Sequence, residues 1–426
     1  MIALLGLGVL HLGGALLLSW VTPLGFSAAI RSPSSAWVSL ALLYALSLGL
    51  AGVPLLVMLA GAAWLARHEA PVQSKTPWLV LGLLGVAVLA RPWVPTLWDE
   101  FVWLAKARFE SLGFGASVAA ALNPQEHLIP PGYPPLWPAA VGWLALGRDS
   151  LDAHVVAGSL VLLLSAGAAL ESVVLALGAR RPSGVVLAVL LVSTPFLWVH
   201  LRSTYVDLPM GLLAVALLAS LLVPSRLVVA TVLAVVLVSV KDEGVAHVAA
   251  ATVSALLVRR RREVVVPAAA GLVAVMTWRL LASSHGVVIV DHAFAAPAWG
   301  WVPVLGRLLL LHATDLFTWG VFWAVAVACL LQRPRLELQR ALRVMLSASL
   351  GLLSAALLVG PERVRAFAEN GTLLNRLLVQ LWPAACVVVL LAMERGKAEP
   401  GPPGLDVPAF RLKDPAASWS PGRGGR

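Results

Sequence analysis

Charge is what this sequence lacks. Asp, Glu, Lys and Arg make up 12% of its 426 residues, and apolar residues 60%. Soluble domains carry about 25% charged residues. Half that amount cannot cover the water-facing surface of a chain this long, which excludes an ordinary soluble enzyme, a disordered chain and a nucleic-acid binder. Cysteine is scarce too: Cys329 and Cys386 are the two present, both inside apolar runs, so no disulfide framework is implied. There is no H-E-x-x-H, no P-loop and no G-x-S-x-G in a useful context, which leaves the zinc-protease, NTPase and α/β-hydrolase signatures unmet.

What the sequence has instead is apolar runs. A helix needs about 20 apolar residues to cross the hydrocarbon core. Candidate spans are 2–22, 37–66, 77–96, 153–178, 183–200, 207–222, 226–240, 244–258, 263–281, 308–331, 343–359 and 373–392. The first lacks a basic leader and a clear small-residue cleavage site, so it reads as a retained span. The run 134–147 is only 14 residues long and contains Pro138, which points to an interfacial or re-entrant piece. Omitting it makes the basic clusters Arg67–Lys75, Arg180–Arg181, Arg226, Arg259–Arg262, Arg333–Arg343 and the C-terminal tail fall on one side, as the positive-inside rule asks. The expected architecture is an all-α polytopic membrane protein of about 12 spans (11–13), with both termini cytoplasmic. The net charge of +10 then reports topology, and no nucleic-acid partner is implied. Several of the 17 Trp residues, such as Trp20, Trp37, Trp78 and Trp98, stand near span ends as belt residues do. Residues 1–394 form the membrane domain, and 395–426, rich in Pro, Gly and Arg, reads as a disordered cytoplasmic tail.

Two segments outside the spans stand out. In the exoplasmic loop 97–135, residues 99–112 have helical spacing, with Phe101, Leu104, Ala105, Phe109 and Leu112 on one side and Asp99, Lys106 and Glu110 elsewhere. That pattern predicts an amphipathic helix on the membrane surface. The second segment, 282–302, carries Asp291 and His292.

Ionisable residues at a membrane boundary are costly unless partnered or wet, so clusters of them are functional candidates. Three such clusters fall on the outer side: Asp99-Glu100, Arg202-Ser-Thr-Tyr205-Val-Asp207 and Lys241-Asp242-Glu243. Asn375-Arg376 opens the last span on that side. A carboxylate there can serve as general base on an acceptor hydroxyl or amine. A second one can share a divalent metal with it or orient the acceptor, and Lys or Arg can hold a phosphate leaving group. Plainer readings stand beside these: solvated charge at span ends for Asp99-Glu100 and Lys241–Glu243, a helix N-cap for Asp207, loop histidines for His127 and His292, and a rigid turn for Tyr133-Pro134-Pro135.

The order of these elements resembles that of the GT-C superfamily of membrane glycosyltransferases, which use polyprenyl-phosphate-linked sugars. The protein-mannosyltransferase-like bacterial members and the aminoarabinose transferases of lipid A are the nearest in pattern. A D-E pair opens a loop of surface helices, here Trp98-Asp99-Glu100 followed by Ala105-Lys106-Ala107, and a Y-P-P-L element closes it, here Tyr133–Leu136. A second acidic motif follows at Leu201–Asp207, then a K-x-E-G element at Lys241–Gly244, then an N-R-L-L-x-Q-x-x-P run at Asn375–Pro383. The likeness covers most of 97–383. It differs in having more expected spans before the D-E pair than the one found in many relatives, and a single Asp in the second motif.

The resemblance implies Asp99 as catalytic base with Glu100 beside it, and Asp207, with Tyr205 and Arg202, as the second acidic motif for acceptor or metal. It implies Lys241 and Arg376 as donor-phosphate contacts; Glu243, Tyr133 and His127 are further candidates. A divalent metal, if used, would sit between Asp99 and Asp207; no other cofactor is implied. Partners would be a polyprenyl-phosphate sugar, the bilayer of a bacterial inner membrane, and a lipid, glycan or protein acceptor. The rivals are a 12-span transporter or lipid flippase, expected to carry mid-span charge and internal repeats, and an inactive relative of the transferases.

Overall fold

The computed structural model describes residues 2–22, 26–66, 98–126, 132–177, 194–201, 203–259, 262–287 and 295–393. Among them every regular element is helical. The principal helices are α1 (Ile2–Val21), α2 (Ser35–Ser47), α3 (Val53–Ala66), α4 (Trp98–Arg108), α5 (Ala116–Ala121), α6 (Leu136–Leu144), α7 (Leu151–Leu177), α8 (Asp207–Leu221), α9 (Leu227–Val240), α10 (Gly244–Arg259), α11 (Val265–Ser284), α12 (Val302–Ala313), α13 (Phe322–Leu331), α14 (Glu337–Val359), α15 (Glu362–Glu369) and α16 (Thr372–Met393). Six stretches among the described residues are long and apolar enough to cross a membrane: Ala3–Trp20, Gly49–Ala66, Leu151–Leu177, Val265–Ser284, Glu337–Val359 and Leu373–Met393.

The exposed surface of these helices is apolar. On α1, Leu5, Val9, Leu12, Leu16 and Trp20 face outward while Ala3, Leu10, Ala15 and Leu18 are buried. A large apolar face turned outward, with alanines and glycines at the close contacts inside, is the pattern of helices that pack by close backbone approach and turn bulk to lipid.

The centre is the hairpin of α8 and α9, two short helices buried along almost their whole length. α8 packs against α7, α10 and α16, and α9 against α3, α10 and α11. Gly211 makes the α8–α16 contact possible, because a Cβ there would run into the Gln380 carbonyl and the Pro383 ring. The two ends of the hairpin carry buried charge. At one end Lys241, just after α9, pairs with Asp207, the first residue of α8. At the other, Arg226 in the α8–α9 turn pairs with Glu171 of α7 at 2.9 Å, and Ser34 donates to the same carboxylate at 2.6 Å.

These ends orient the rest of the chain and correct two expectations. The run 37–66 is not one span. It breaks at Leu48–Gly52, where Gly49 takes a left-handed φ of +60 and Gly52 lies against the backbone of Ala45, a reversal that only a residue without Cβ permits. Helix α2 therefore rises from Ser34, at the Glu171 end, to Tyr44 beside Ser239 and Asp242, at the Asp207 end. α3 turns back down along α9 and α11.

Helix α1 runs antiparallel to α2: Ser39 donates to the Leu10 carbonyl at 2.8 Å and Gly14 abuts Ser35. The N-terminus is thus at the Asp207 end, and α16, which starts with Arg376 at that end, finishes at the opposite one. The start of α1 and the end of α16 therefore lie at opposite ends of the bundle. Arg31, in the turn before α2, joins the Glu171 end with the other basic turns.

The run 308–331 is also broken. α12 ends at Ala313, Asp315 caps the short turn Leu316–Trp319 by accepting from the Phe317 amide, and Gly320 (φ +55) leads into α13.

The run 134–147 behaves as read. Its helix, α6, is nine residues, too short to cross, and every residue is buried. The surface helix differs from the expected face. α4 and the turn after it bury Trp103, Leu104, Lys106, Ala107 and Glu110, while Phe101, Leu112 and Phe114 are exposed. Glu110 accepts from the amides of Gly115 (3.1 Å) and Ser117 (3.0 Å) and from the Trp143 indole (3.0 Å), which satisfies the open N-terminus of α5. Lys106 and Glu110 thus face protein together with Trp103, Leu104 and Ala107, while Phe101, Leu112 and Phe114 face out. The span expected at 77–96, most of that at 183–200, the segment around Asp291 and His292, and the tail 395–426 lie outside the described residues.

Candidate functional site

Asp207 is the centre of the site. Its side chain is fully buried and carries three donors: Lys241 Nζ at 3.0 Å and Gln380 Nε2 at 2.8 Å on Oδ1, and Arg376 Nε at 2.7 Å on Oδ2. A buried carboxylate is tolerable only when paired and hydrogen-bonded in this way. The cluster is drawn from three places far apart in sequence: α8 gives Asp207, the end of α9 gives Lys241, and the first three turns of α16 give Arg376 and Gln380.

The turn between α9 and α10 adds two more acids. Glu243 pairs with Lys241 at 2.7 Å, and Asp242 pairs with Arg279 of α11 at 2.7 Å. Lys241 is thus held by two carboxylates, with its side chain 4% exposed, whereas the Arg376 side chain is 24% exposed and lies 5.4 Å over the Tyr205 ring. Of the two basic residues assigned to a donor phosphate, Arg376 is the one placed to meet an incoming anion.

Tyr133 links this cluster to the surface helices. The Trp278 indole donates to the Gly132 carbonyl at 2.9 Å, which fastens the turn before α6 to α11 one residue from Arg279. Tyr133 then meets Trp103 of α4 edge-on at 6.2 Å and stands within electrostatic reach of Glu243, Asp242, Arg376 and Asp207. Burial, with these carboxylates adding to it, pushes its phenol well above the ordinary tyrosine value. Lys106, one turn further along α4, lies 5.0 Å over Trp103; burial pulls its amine down to about 8.

The backbone of Asp99 and Glu100 opens α4, one turn before Trp103, so the D-E pair begins the helix that touches Tyr133. The side chains of Asp99 and Glu100, and all of Arg202 and His127, lie outside the described residues. Tyr133, Tyr205, Asp207, Lys241, Glu243 and Arg376 are gathered at one end of the bundle.

A divalent metal does not fit Asp207 as it stands. Both carboxylate oxygens are occupied by donors and two of those donors are cationic, so a metal would have to displace Lys241 or Arg376. No group of three or more His, Cys, Asp or Glu able to hold a metal occurs among the described residues.

Sequence reasoning passed over three partners. Gln380 sits within the quoted N-R-L-L-x-Q run without being singled out. Behind it, His247 lies 3.0 Å from Gln380 Oε1, and Ser349 lies 3.4 Å from the other His247 nitrogen. A histidine one turn after Glu243 in an otherwise apolar helix was the available signal for His247; nothing marked Ser349.

Comparison with protein-family profiles, with curated proteins and with solved structures returned no match to this chain.

Proposed function

We propose that this protein is a glycosyltransferase of the bacterial inner membrane, moving a sugar from a polyprenyl-phosphate donor to a lipid, glycan or protein acceptor at the exoplasmic face. The observation that carries the reading is the convergence on Asp207. Residues from 133 to 380 meet there in one charge-balanced cluster, at the end of the bundle where the helix opened by Asp99 and Glu100 also begins.

In this reading the Arg376 guanidinium, braced by Asp207 and stacked on Tyr205, holds the phosphate as it leaves. Guanidinium suits that task because its planar donors match phosphate oxygens. Asp99 takes the acceptor proton as the acceptor oxygen or nitrogen attacks the anomeric carbon and the bond to phosphate breaks. Asp207 fixes Arg376 and Lys241 and needs no metal to do so.

In this reading α1 enters from the exoplasmic side and α16 leaves toward the cytoplasm. The N-terminus is then exoplasmic and the C-terminus cytoplasmic. This assignment keeps the basic turns on the cytoplasmic side, and it adds Arg31 to them.

Transport is the weaker reading. A substrate path needs polar lining between the two ends, and α8 and α9 between Asp207 and Arg226 are apolar and close-packed.

The test is transfer from labelled polyprenyl-phosphate sugar in membranes holding the wild type, Asp99→Asn or Arg376→Ala. Loss of transfer in both variants at normal protein level is expected. Transfer by Asp99→Asn at the wild-type rate removes Asp99 as base, and absence of transfer by the wild type with every donor tried removes the proposal.

A further inference from the structure

We infer that His247 is a positioning residue for the anion site: through Gln380 it fixes the Asp207 carboxylate, and Asp207 in turn aims Arg376. The inference rests on the reading of Arg376 as a donor-phosphate contact.

The argument is one of hydrogen-bond polarity. A glutamine amide can be turned either way, and its two ends have opposite roles. Here Gln380 has a carboxylate oxygen of Asp207 at 2.8 Å on one side and His247 Nε2 at 3.0 Å on the other. An ionised carboxylate only accepts, so the Gln380 NH2 must face Asp207 and its carbonyl must face His247. The carbonyl only accepts, so His247 must carry its proton on Nε2. The remaining ring nitrogen, Nδ1, then accepts from the Ser349 hydroxyl at 3.4 Å.

The chain Ser349–His247–Gln380–Asp207 therefore has one consistent direction, set from the Asp207 end. It crosses four helices, α14, α10, α16 and α8. None of its members is more than 2% exposed, so water cannot substitute for a missing link.

The consequence reaches Arg376. Asp207 Oδ1 is shared between Lys241 and Gln380, and Oδ2 holds Arg376 Nε. Without the His247 donor, the Gln380 carbonyl is left buried and unpaired, and the amide shifts toward another donor. Its bond to Asp207 loosens, and Arg376 loses part of the brace that directs its outer donors. A planar anion contact depends on that direction.

The experiment uses the full chain in phosphatidylcholine nanodiscs and measures binding of a short-chain polyprenyl phosphate. Wild type, His247→Leu, His247→Gln, Ser349→Ala, Arg376→Ala and the His247→Leu/Arg376→Ala double variant are compared. His247→Leu removes a donor that serves a buried polar chain, and the expected weakening is roughly tenfold. His247→Gln supplies an amide N–H in the same direction and should stay within about threefold of wild type. Ser349→Ala keeps the ring and loses only the outer hydroxyl, so it should weaken binding by about two- to threefold. The double variant should bind no more weakly than Arg376→Ala alone, because His247 acts through that residue. That coupling separates positioning from general loosening of the fold, which would add to the Arg376 effect. Binding by His247→Leu equal to wild type, or a double variant that loses the product of the two single effects, overturns the inference. Failure of the wild type to bind polyprenyl phosphate at all instead brings down the donor reading, and the inference with it.

Discussion

The Glu171–Arg226 pair gives the most direct energetic test of this architecture. Its side chains are 1% and 4% exposed, and they meet at 2.9 Å at the end of the hairpin opposite Asp207. Ser34 lies within 2.6 Å of the same carboxylate oxygen and 2.9 Å of the guanidinium. Removing one partner of a buried pair costs about 3–5 kcal/mol, because the other charge stays buried and uncompensated. Glu171→Gln should fall at the upper end, about 5 kcal/mol, since Arg226 has no second carboxylate in the described contacts and its Nε already has no hydrogen-bond partner. Asp207→Asn should cost less, about 3 kcal/mol. There Lys241 keeps Glu243 at 2.7 Å and Arg376 is open enough to rehydrate. The assay is reversible unfolding of the purified chain in mixed micelles with rising denaturing detergent, read by near-UV circular dichroism. A third variant, Glu171→Leu with Arg226→Met, removes both charges and should recover most of the loss, as buried pairs replaced by apolar residues generally do. If Glu171→Gln unfolds with the wild type, or if the double replacement is as unstable as the single one, the pair is not a desolvated tie and the reasoning fails.

Three other outcomes follow from the same geometry. A cysteine at Arg31, which is exposed in the turn at the Glu171 end, should react with a membrane-impermeant maleimide only when the cytoplasmic face is opened; labelling from outside in intact cells contradicts the reversed N-terminal hairpin. Gly211→Ala should cost about 1–3 kcal/mol by overpacking and weaken anion binding too, since its new Cβ pushes α16 away one turn from Asp207; the two effects are read by micelle unfolding and by polyprenyl-phosphate binding. For Lys106, burial lowers the amine to about 8 from 10.5, so between these values the unfolded chain binds more protons than the folded one and stability rises with pH. Lys106→Met should therefore stabilise the protein at pH 7, by an advantage that shrinks as pH climbs from 8 toward 10.5; thermal unfolding of both proteins across that range checks the slope, and a pH-independent difference refutes it.

The charged part of the site could be read in the sequence because charge is rare in it. Asp207, Lys241, Glu243 and Arg376 stand out against apolar runs, and the cost of stranding such groups in a bilayer all but requires that they find one another. The turns were harder. Residues 37–66 are apolar throughout, and no polarity change marks the reversal at Leu48–Gly52; only the glycine pair hinted at it, in a chain with 35 glycines. Missing that one reversal gave α1 the opposite direction and left the sides assigned after residue 66 unchanged. The surface helix misled for another reason. Helical spacing put Leu104 on one side and Lys106 and Glu110 elsewhere, yet all three are buried while Phe101 and Leu112 are exposed, because composition does not say whether the partner outside is water or lipid.

Hairpin length ties these observations to function. At about 1.5 Å per residue, α8 with 15 residues and α9 with 14 are about 22 and 21 Å long, short of the roughly 30 Å hydrocarbon core. If the Glu171 end sits at one boundary, Asp207 lies below the other by a third of the core. Charge at that depth must be sheltered from lipid, and the elements that can shelter it are the ones the chain places there: the Gly132–Pro135 turn pinned by Trp278, the Trp103–Tyr133 contact, and α6 buried behind them. The Gly132–Pro135 turn and the Trp103–Tyr133 contact thus carry α4 and α6 up to the Asp207 end of the short central hairpin. Under the proposed transferase reading, a phosphate linked to a long isoprenoid would suit such a depth, with its head at Arg376 and its tail kept in the bilayer.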